Sequence, residues 1–547
     1  MTTDQAQPRL AVLILLFLFG YTIIIVNLYR IQVKYHSYYA HLGEQQYNQT
    51  IVTTPSRAPI LDRNGDYLAM NKESYSAFML PKQCENFDAA KAFIENHFPQ
   101  AVERVSTHRN SNFVFIKRKL SDQEIECIKQ SGTDDIKLLK EPHRYYPCPA
   151  AASIVGLTNV DNKGILGLEL QYDALLSGQP TTCFLERDAR MGHFYFKKET
   201  LKEGKSGEPI KLTLDQALQF LVAEELKQAM ERVDAKGGAV IIMDPKTGDI
   251  LSLVSMPSFD PNNTESLDID HTKNKALSER YELGSVIKIF AALAAIEEGA
   301  VTNDELINCQ GKRTGYVDGR KVNTVSPHGK IPFAEVIARS NNIGTATVVK
   351  RIEDKLYDHY VRLGFTRKTN IPLPGEQIGF VNHPSNWSKQ SVLSLSYGYE
   401  IAITLLELAR AFCIIANNGH EVEAQLMKES ISEHNSSEQK KLYSQTSIDA
   451  IKDILEQTTT YGTSRRAAIK GYRIMSKTGT ANMLENGIYN ARKNLFTCGG
   501  IIQKGAYQRV IVAFVKEAAP QFRFASLVAA PLFERVAEKT VLHDKIV

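Results

Sequence analysis

The chain lacks an excess of charge of either sign: 65 Lys+Arg stand against 61 Asp+Glu, a formal +4 over 547 residues. So close a balance makes no electrostatic case for a polyanionic partner, and nucleic acid is set aside. It also lacks any C-x-x-C pair. Its seven cysteines (Cys84, Cys127, Cys148, Cys183, Cys309, Cys413 and Cys498) are scattered and odd in number. That spacing indicates neither a zinc site nor a disulfide framework, and no metal or cofactor is expected. Internal repeats are absent, and the one biased tract, the polar patch "KESISEHNSSEQKK" at 428–441, reads as a loop.

What is present begins with length. At 547 residues the chain exceeds a single core, so two or three folded units are expected. One segment departs from the rest: "LAVLILLFLFGYTIIIVNLY", residues 10–29, carries no charge and is long enough to cross the hydrocarbon core as a helix. A signal peptide has a shorter apolar region and a small-residue cleavage site, whereas this run continues into Arg30, so an uncleaved anchor is expected. Arg9 on one side faces Arg30 and Lys34 on the other, so charge counting leaves the orientation open.

After the anchor, residues 31–50 read as a polar helical stalk. From Thr53 the pattern changes to short strands and turns, with Asn64-Gly65 in "RAPILDRNGDYLAMN" as a hairpin signal and a strand at "NFVFIKRKL". The charged, glycine-containing stretch 197–209 is the best linker candidate and places a boundary near 210. Beyond it a helix opens at a cap, Thr213 or Asp215, and two strands flank the turn "PKTG". A third strand pair is expected at "YRIMSKTGTAN" and "QRVIVAFVKE". The fold class is therefore α+β and multidomain, with an antiparallel sheet beside a helical part. The expected divisions are 1–9, 10–30, 31–210 and 211–547.

Within "YELGSVIKIF", Ser285 and Lys288 share a face one helical turn apart in an otherwise apolar run. Burial disfavours the charged form of a lysine, a neutral lysine is a base, and a serine hydroxyl needs one before it attacks a carbonyl. The bland alternative is a capping serine and a snorkelling lysine; Ser437 and Lys440 repeat the spacing inside the polar patch, where no apolar wall exists. In "ARSNNIG", Ser340 and Asn342 sit where one helical stretch breaks before another, a place that capping alone explains. In "MSKTGTAN", Thr478 and Thr480 share one face of a strand, Gly479 clears the approach between them, and Lys477 acts round the edge or from behind. Lys246-Thr247-Gly248 is a decoy explained by a hairpin turn. Singly each motif is cheap; jointly, the ordered set Ser285/Lys288, Ser340/Asn342, Lys477/Thr478/Gly479 is far more specific.

A chain with these motifs in this order resembles the class B penicillin-binding proteins, and the septal D,D-transpeptidases among them. "GGAVIIMDPKTGDILSLVSMPSFDPN", "LSLSYGYEIAITLLELARAF", "AAIKGYRIMSKTGTAN", "RAPILDRNGDYLA" and "RYYPCPAAASIVGLTNVDNKGILGLELQYDALLSGQ" extend the resemblance over nearly the whole chain. Leu283 stands where the family usually has proline, and Ala58 where it usually has glycine. The resemblance implies a membrane-anchored pedestal (dimerisation-type) domain and a C-terminal transpeptidase domain. It implies Ser285 as nucleophile, Lys288 as base, Ser340 as proton relay and Asn342 as a holder of the substrate amide. Lys477, Thr478, Gly479 and Thr480 would receive the terminal carboxylate, and the N–H groups of Ser285 and Thr480 would form an oxyanion hole. The implied substrates are D-alanyl-D-alanine stem peptides and an acceptor amine, with β-lactams as mimics. The implied partners are a membrane-embedded glycosyltransferase and other division proteins, since no glycosyltransferase-sized segment lies between anchor and pedestal. The implied place is the bacterial cytoplasmic (inner) membrane at the septum, with 1–9 cytoplasmic and 31–547 outside. The competing readings are an elongation role, hydrolysis as in a carboxypeptidase or β-lactamase, and a non-catalytic scaffold.

Overall fold

The computed structural model describes residues 6–53, 55–187, 195–264, 267–428, 439–485 and 487–546. Ser437, with the rest of 429–438, lies outside them. The chain divides into two compact units, Met1–Arg57 with Ser177–Gly207, and Ala58–Leu176 with Glu208–Val547.

In the first unit the uncharged run forms helix α1 (Ala6–Tyr29), followed by a five-residue π turn (Arg30–Lys34) and a second helix, His36–Tyr47. Among the described residues one helix is long and apolar enough to cross a membrane, and from Leu10 on its apolar side chains are not buried by protein. A strand at Asn48–Thr53 pairs antiparallel with Thr181–Arg187, which pairs in turn with Tyr195–Lys202. The stretch expected as a linker is thus strand as far as Lys202: backbone pairing overrides its charged composition.

Among the described residues the second unit contains two five-stranded sheets and three two-stranded ones. In the first, the long strand Tyr67–Met79 pairs with Ile60–Leu61, Val114–Lys117 and Ile136–Tyr145, and Ile210–Lys211 adds parallel to Ile60–Leu61. The Asn64-Gly65 hairpin forms, with Gly65 at φ +100°. Its turn is built round Asp62, fully buried, whose Oδ1 accepts the N–H groups of Asn64, Gly65 and Asp66 at 2.7, 2.8 and 2.9 Å. Asp62 Oδ2 accepts the N–H of Gln216 at 3.0 Å, the first residue of helix α2 (Gln216–Val233). Of the two caps the sequence offered, Asp215 holds the helix, accepting from Leu218 N, while the Thr213 hydroxyl bonds the carbonyls of Ile250 and Gln425.

The larger sheet comprises β1 (Gly237–Met243), β2 (Ile250–Met256), β3 (Arg473–Glu485), β4 (Ile488–Lys504) and β5 (Tyr507–Lys516), all antiparallel in the order β2-β1-β5-β4-β3. The expected pair β3 and β5 are both strands but not partners. The intervening β4, with Asn and Arg at its start and paired glycines at Gly499–Gly500, carries little strand signal and was missed. Both faces of this sheet are covered, which is why β1 reads as a continuous apolar run. Ile241 and Met243 face one core, and Val240 and Ile242 face the other with α2 and the final helix, Ala529–His543. In the first core lies α3 (Lys288–Glu297), apolar on every side and buried throughout its first eight residues.

Asp62→Ala leaves four backbone N–H groups of a buried turn and a helix start without their acceptor. A loss of stability of about 3 kcal/mol or more is expected, read as a lowered thermal-unfolding midpoint of the solubilised chain; an unchanged midpoint would refute the role given to this carboxylate.

Candidate active site

Ser285 lies in a short 3-10 turn, Gly284–Val286, immediately before α3. The turn sits against the edge of the sheet so closely that side chains are excluded on both sides. A Cβ on Gly284, at φ +58°, would lie 2.5 Å from the Thr480 carbonyl oxygen, and one on Gly479 would lie 2.2 Å from the Leu283 oxygen. Glycine at both positions is therefore a condition of the approach. β3 is the last strand of its sheet, so one side of it carries no ladder. The helix Gln445–Thr460 caps that side: the Thr459 hydroxyl accepts the N–H of Ser476 at 3.2 Å. Backbone groups alternate along a strand, so the N–H groups of Thr478 and Thr480 face this same edge.

Lys288 and Lys477 have no exposed surface. They converge on Ser340, which joins the helices Phe333–Ala338 and Asn342–Val349 in the left-handed conformation, φ +59°. That conformation is costly for a residue with a Cβ and turns both the carbonyl and the hydroxyl of Ser340 toward the lysines. Lys288 Nζ donates to Ser340 O at 2.7 Å and to Ser340 Oγ at 3.1 Å. Lys477 Nζ lies 3.3 Å from the same Oγ and donates to Thr478 O at 2.9 Å. Among the described residues no anion pairs with either lysine, so burial weighs against their charge: it drives Lys288 well below its ordinary value, helped by the Lys477 charge, and brings Lys477 down to about 7.

Lys288 thus bonds Ser340 and not, as its spacing from Ser285 suggested, its neighbour in sequence. The Ser285 side chain is half-buried and has no hydrogen-bond partner among the described residues. Asn342 gives its Nδ2 to the Asn323 carbonyl at 2.7 Å, leaving Oδ1 to accept. Thr478 donates to the hydroxyl of Thr463 at 3.0 Å, and Thr480 Oγ1 accepts the N–H of Ala525 at 2.9 Å. Thr463, Asn323 and Ala525 come from three separate segments and carry no sequence signal that could have pointed to them. Among the described residues no three His, Cys, Asp or Glu side chains converge as a ligand set.

Residues 238–538 match the penicillin binding protein transpeptidase domain, and residues 52–212 the penicillin-binding protein dimerisation domain. The chain belongs to the penicillin-binding protein transpeptidase family. It is 28% identical over 517 residues to the probable peptidoglycan D,D-transpeptidase PenA of Neisseria meningitidis, covering 92% of this chain and 87% of that one. With the peptidoglycan D,D-transpeptidase FtsI of Escherichia coli K12 it shares 25% over 490 residues, 87% and 82% of the two chains. Penicillin binding protein 3 of Mycobacterium tuberculosis, solved in complex with aztreonam, superposes with a TM-score of 0.68 at 25% identity, covering 91% of this chain and 98% of that one.

Neutral lysines are present only above their own pKa, so acid removes the base. Acylation by a fluorescent penicillin, followed from about pH 5 to about pH 9, is expected to rise through a limb far below the free-lysine region. Lys288→Arg, which stays charged, loses the limb and slows acylation by about a hundredfold or more; wild-type rates in that variant would remove Lys288 from the chemistry.

Proposed function

We propose that this chain is a peptidoglycan D,D-transpeptidase that crosslinks stem peptides in septal wall synthesis through an acyl-enzyme on Ser285. The observation that carries the reading is the convergence of two buried lysines on the Ser340 hydroxyl, beside the turn that bears Ser285 and the open edge of β3.

A neutral amine has two N–H groups and one lone pair. Ser340 accepts two hydrogen bonds from Lys288 Nζ, which leaves the lone pair to take the proton of the Ser285 hydroxyl. Oγ then bonds to the carbonyl carbon of the penultimate D-alanine, and the negative charge on the carbonyl oxygen is held by the N–H groups of Ser285 and Thr480. Each such donor typically contributes a factor of about 10² to 10³ in rate. The proton passes from Lys288 through the Ser340 hydroxyl to the departing nitrogen, the C–N bond breaks and D-alanine leaves. Lys477, with the hydroxyls of Thr478 and Thr480 at the strand edge, receives the terminal carboxylate, and Asn342 Oδ1 accepts a substrate N–H. In the second half an acceptor amine attacks the ester carbonyl, its proton returns to Ser285 Oγ by the same route, and the crosslink replaces the ester. A β-lactam follows the first half and stalls there.

The reaction consumes substrate outside the cytoplasmic membrane, so α1 is a single-pass anchor with residues 1–9 cytoplasmic and the bulk of the chain outside. Membrane-embedded glycosyltransferases and other division proteins are the expected partners. The septal assignment over side-wall elongation rests on the resemblance of "AAIKGYRIMSKTGTAN", and localisation of a fluorescent fusion to midcell or to the side wall separates the two.

Mass spectrometry after exposure to labelled penicillin tests the site: one adduct is expected, on Ser285, and it is absent in Ser285→Ala. An adduct on another residue, or none in the unmodified chain, overturns the reading.

A further inference from the structure

Glu282, three residues before Ser285, is used by none of the steps above, yet it holds together the ground on which Ser285 stands. The chain enters the turn through a two-bond bridge: Tyr281 N–H donates to Ile403 O at 2.9 Å, and Ile403 N–H donates to Tyr281 O at 3.1 Å. From there the side chain of Glu282 takes over. Its Oε1 accepts the N–H of Glu400 at 2.9 Å and the hydroxyl of Tyr489 at 3.2 Å. Its Oε2 is buried without a partner.

These two bonds reach two further walls of the cleft. Glu400 is left-handed, φ +60°, and is itself pinned by Asn382, whose Nδ2 donates to Glu400 Oε2 at 2.7 Å and whose N–H donates to Glu400 O at 3.0 Å. Two residues earlier, Gly398 approaches the nucleophile turn so closely that a Cβ there would lie 2.1 Å from Gly284 O. Tyr489 belongs to β4 close to the tip of the β3–β4 hairpin, and its ring meets that of Tyr399 edge-on at 5.1 Å. One carboxylate oxygen therefore joins the nucleophile turn, the 398–400 loop and the hairpin that continues the substrate-facing edge.

We propose that Glu282 is a positioning residue: by accepting from Glu400 N–H and Tyr489 O–H it fixes the turn that carries Ser285, and with it the angle at which Ser285 Oγ meets the substrate carbonyl. This rests on the acyl-transfer reading of the site. A glutamine at this position can accept both hydrogen bonds through its carbonyl oxygen, whereas alanine accepts neither. Displacement of a nucleophile slows the bond-forming step without removing any group that binds the ligand.

The test is pre-steady-state acylation of the full chain in detergent by a fluorescent penicillin, separating the non-covalent dissociation constant from the rate constant of acylation. Glu282→Ala is expected to lower the acylation constant by about ten- to a hundredfold and to leave the dissociation constant within about threefold. Glu282→Gln stays within about threefold of wild type, and Tyr489→Phe, lacking one of the two donors, falls by about three- to tenfold with an unchanged melting temperature. Wild-type acylation in Glu282→Ala, an equal loss in Glu282→Gln, or a loss confined to the dissociation constant overturns the proposal. Should Glu282→Ala fail to fold, Tyr489→Phe decides alone, a wild-type acylation constant there counting against it. Failure of the wild-type chain to acylate at Ser285 overturns the acyl-transfer reading instead.

Discussion

Two lysine side chains are taken wholly out of water with no carboxylate beside them among the described residues, so their charged forms are disfavoured, and the catalytic domain is organised to keep them buried. Lys288 is dry because α3 is apolar on every side and enclosed in the larger core; Lys477 is dry because it points inward from an edge strand covered by Gln445–Thr460. What keeps them from collapsing onto other acceptors is Ser340. Its left-handed backbone presents a carbonyl and a hydroxyl together, so one residue satisfies the donors of one lysine and meets the other. A right-handed serine would continue the preceding helix and turn these groups elsewhere.

The second requirement is a strand edge without a ladder beside Ser285. An edge strand is an aggregation hazard, and here the hazard is confined by partial coverage. The hydroxyls of Thr458 and Thr459 engage Ser476, and the Gly284–Val286 turn abuts Gly479 and Thr480. The catalytic sheet is in turn fixed to the smaller one through Asp62, which gathers the pedestal hairpin and the first turn of α2 on one carboxylate. This carboxylate is as deeply buried as the lysines, and backbone hydrogen-bond donors surround it.

Much of this was legible beforehand. The long apolar helix α1 followed from twenty uncharged residues, the Asn64-Gly65 hairpin from its turn chemistry, α2 from periodicity with its cap narrowed to Thr213 or Asp215, and β1–β2 from two apolar runs about a "PKTG" turn. The residues of the site were nominated from the joint order of three short motifs, each of which occurs by chance. Where reading failed, competing physics explains it. β4 is weak in strand propensity and forms because β3 and β5 offer it two ladders. Residues 197–202 are polar yet pair as strand. Helical spacing placed Lys288 near Ser285 but gave no sign that a carbonyl oxygen and a hydroxyl 52 residues away accept its hydrogen bonds.

Sequence by itself determined the local terms: which segments are apolar, where turns and caps fall, and which side chains could act as nucleophile, base and carboxylate acceptor. These depend on neighbours within a few residues, and the chain states them directly. Tertiary structure decided the rest: that Ser340 rather than Ser285 holds Lys288, that β3 ends its sheet with one side open, that Glu282 grips Glu400 and Tyr489, and that both lysines are dry. Burial and long-range hydrogen bonding are properties of the packed assembly, and a lysine in a sequence carries no mark of whether water will reach it.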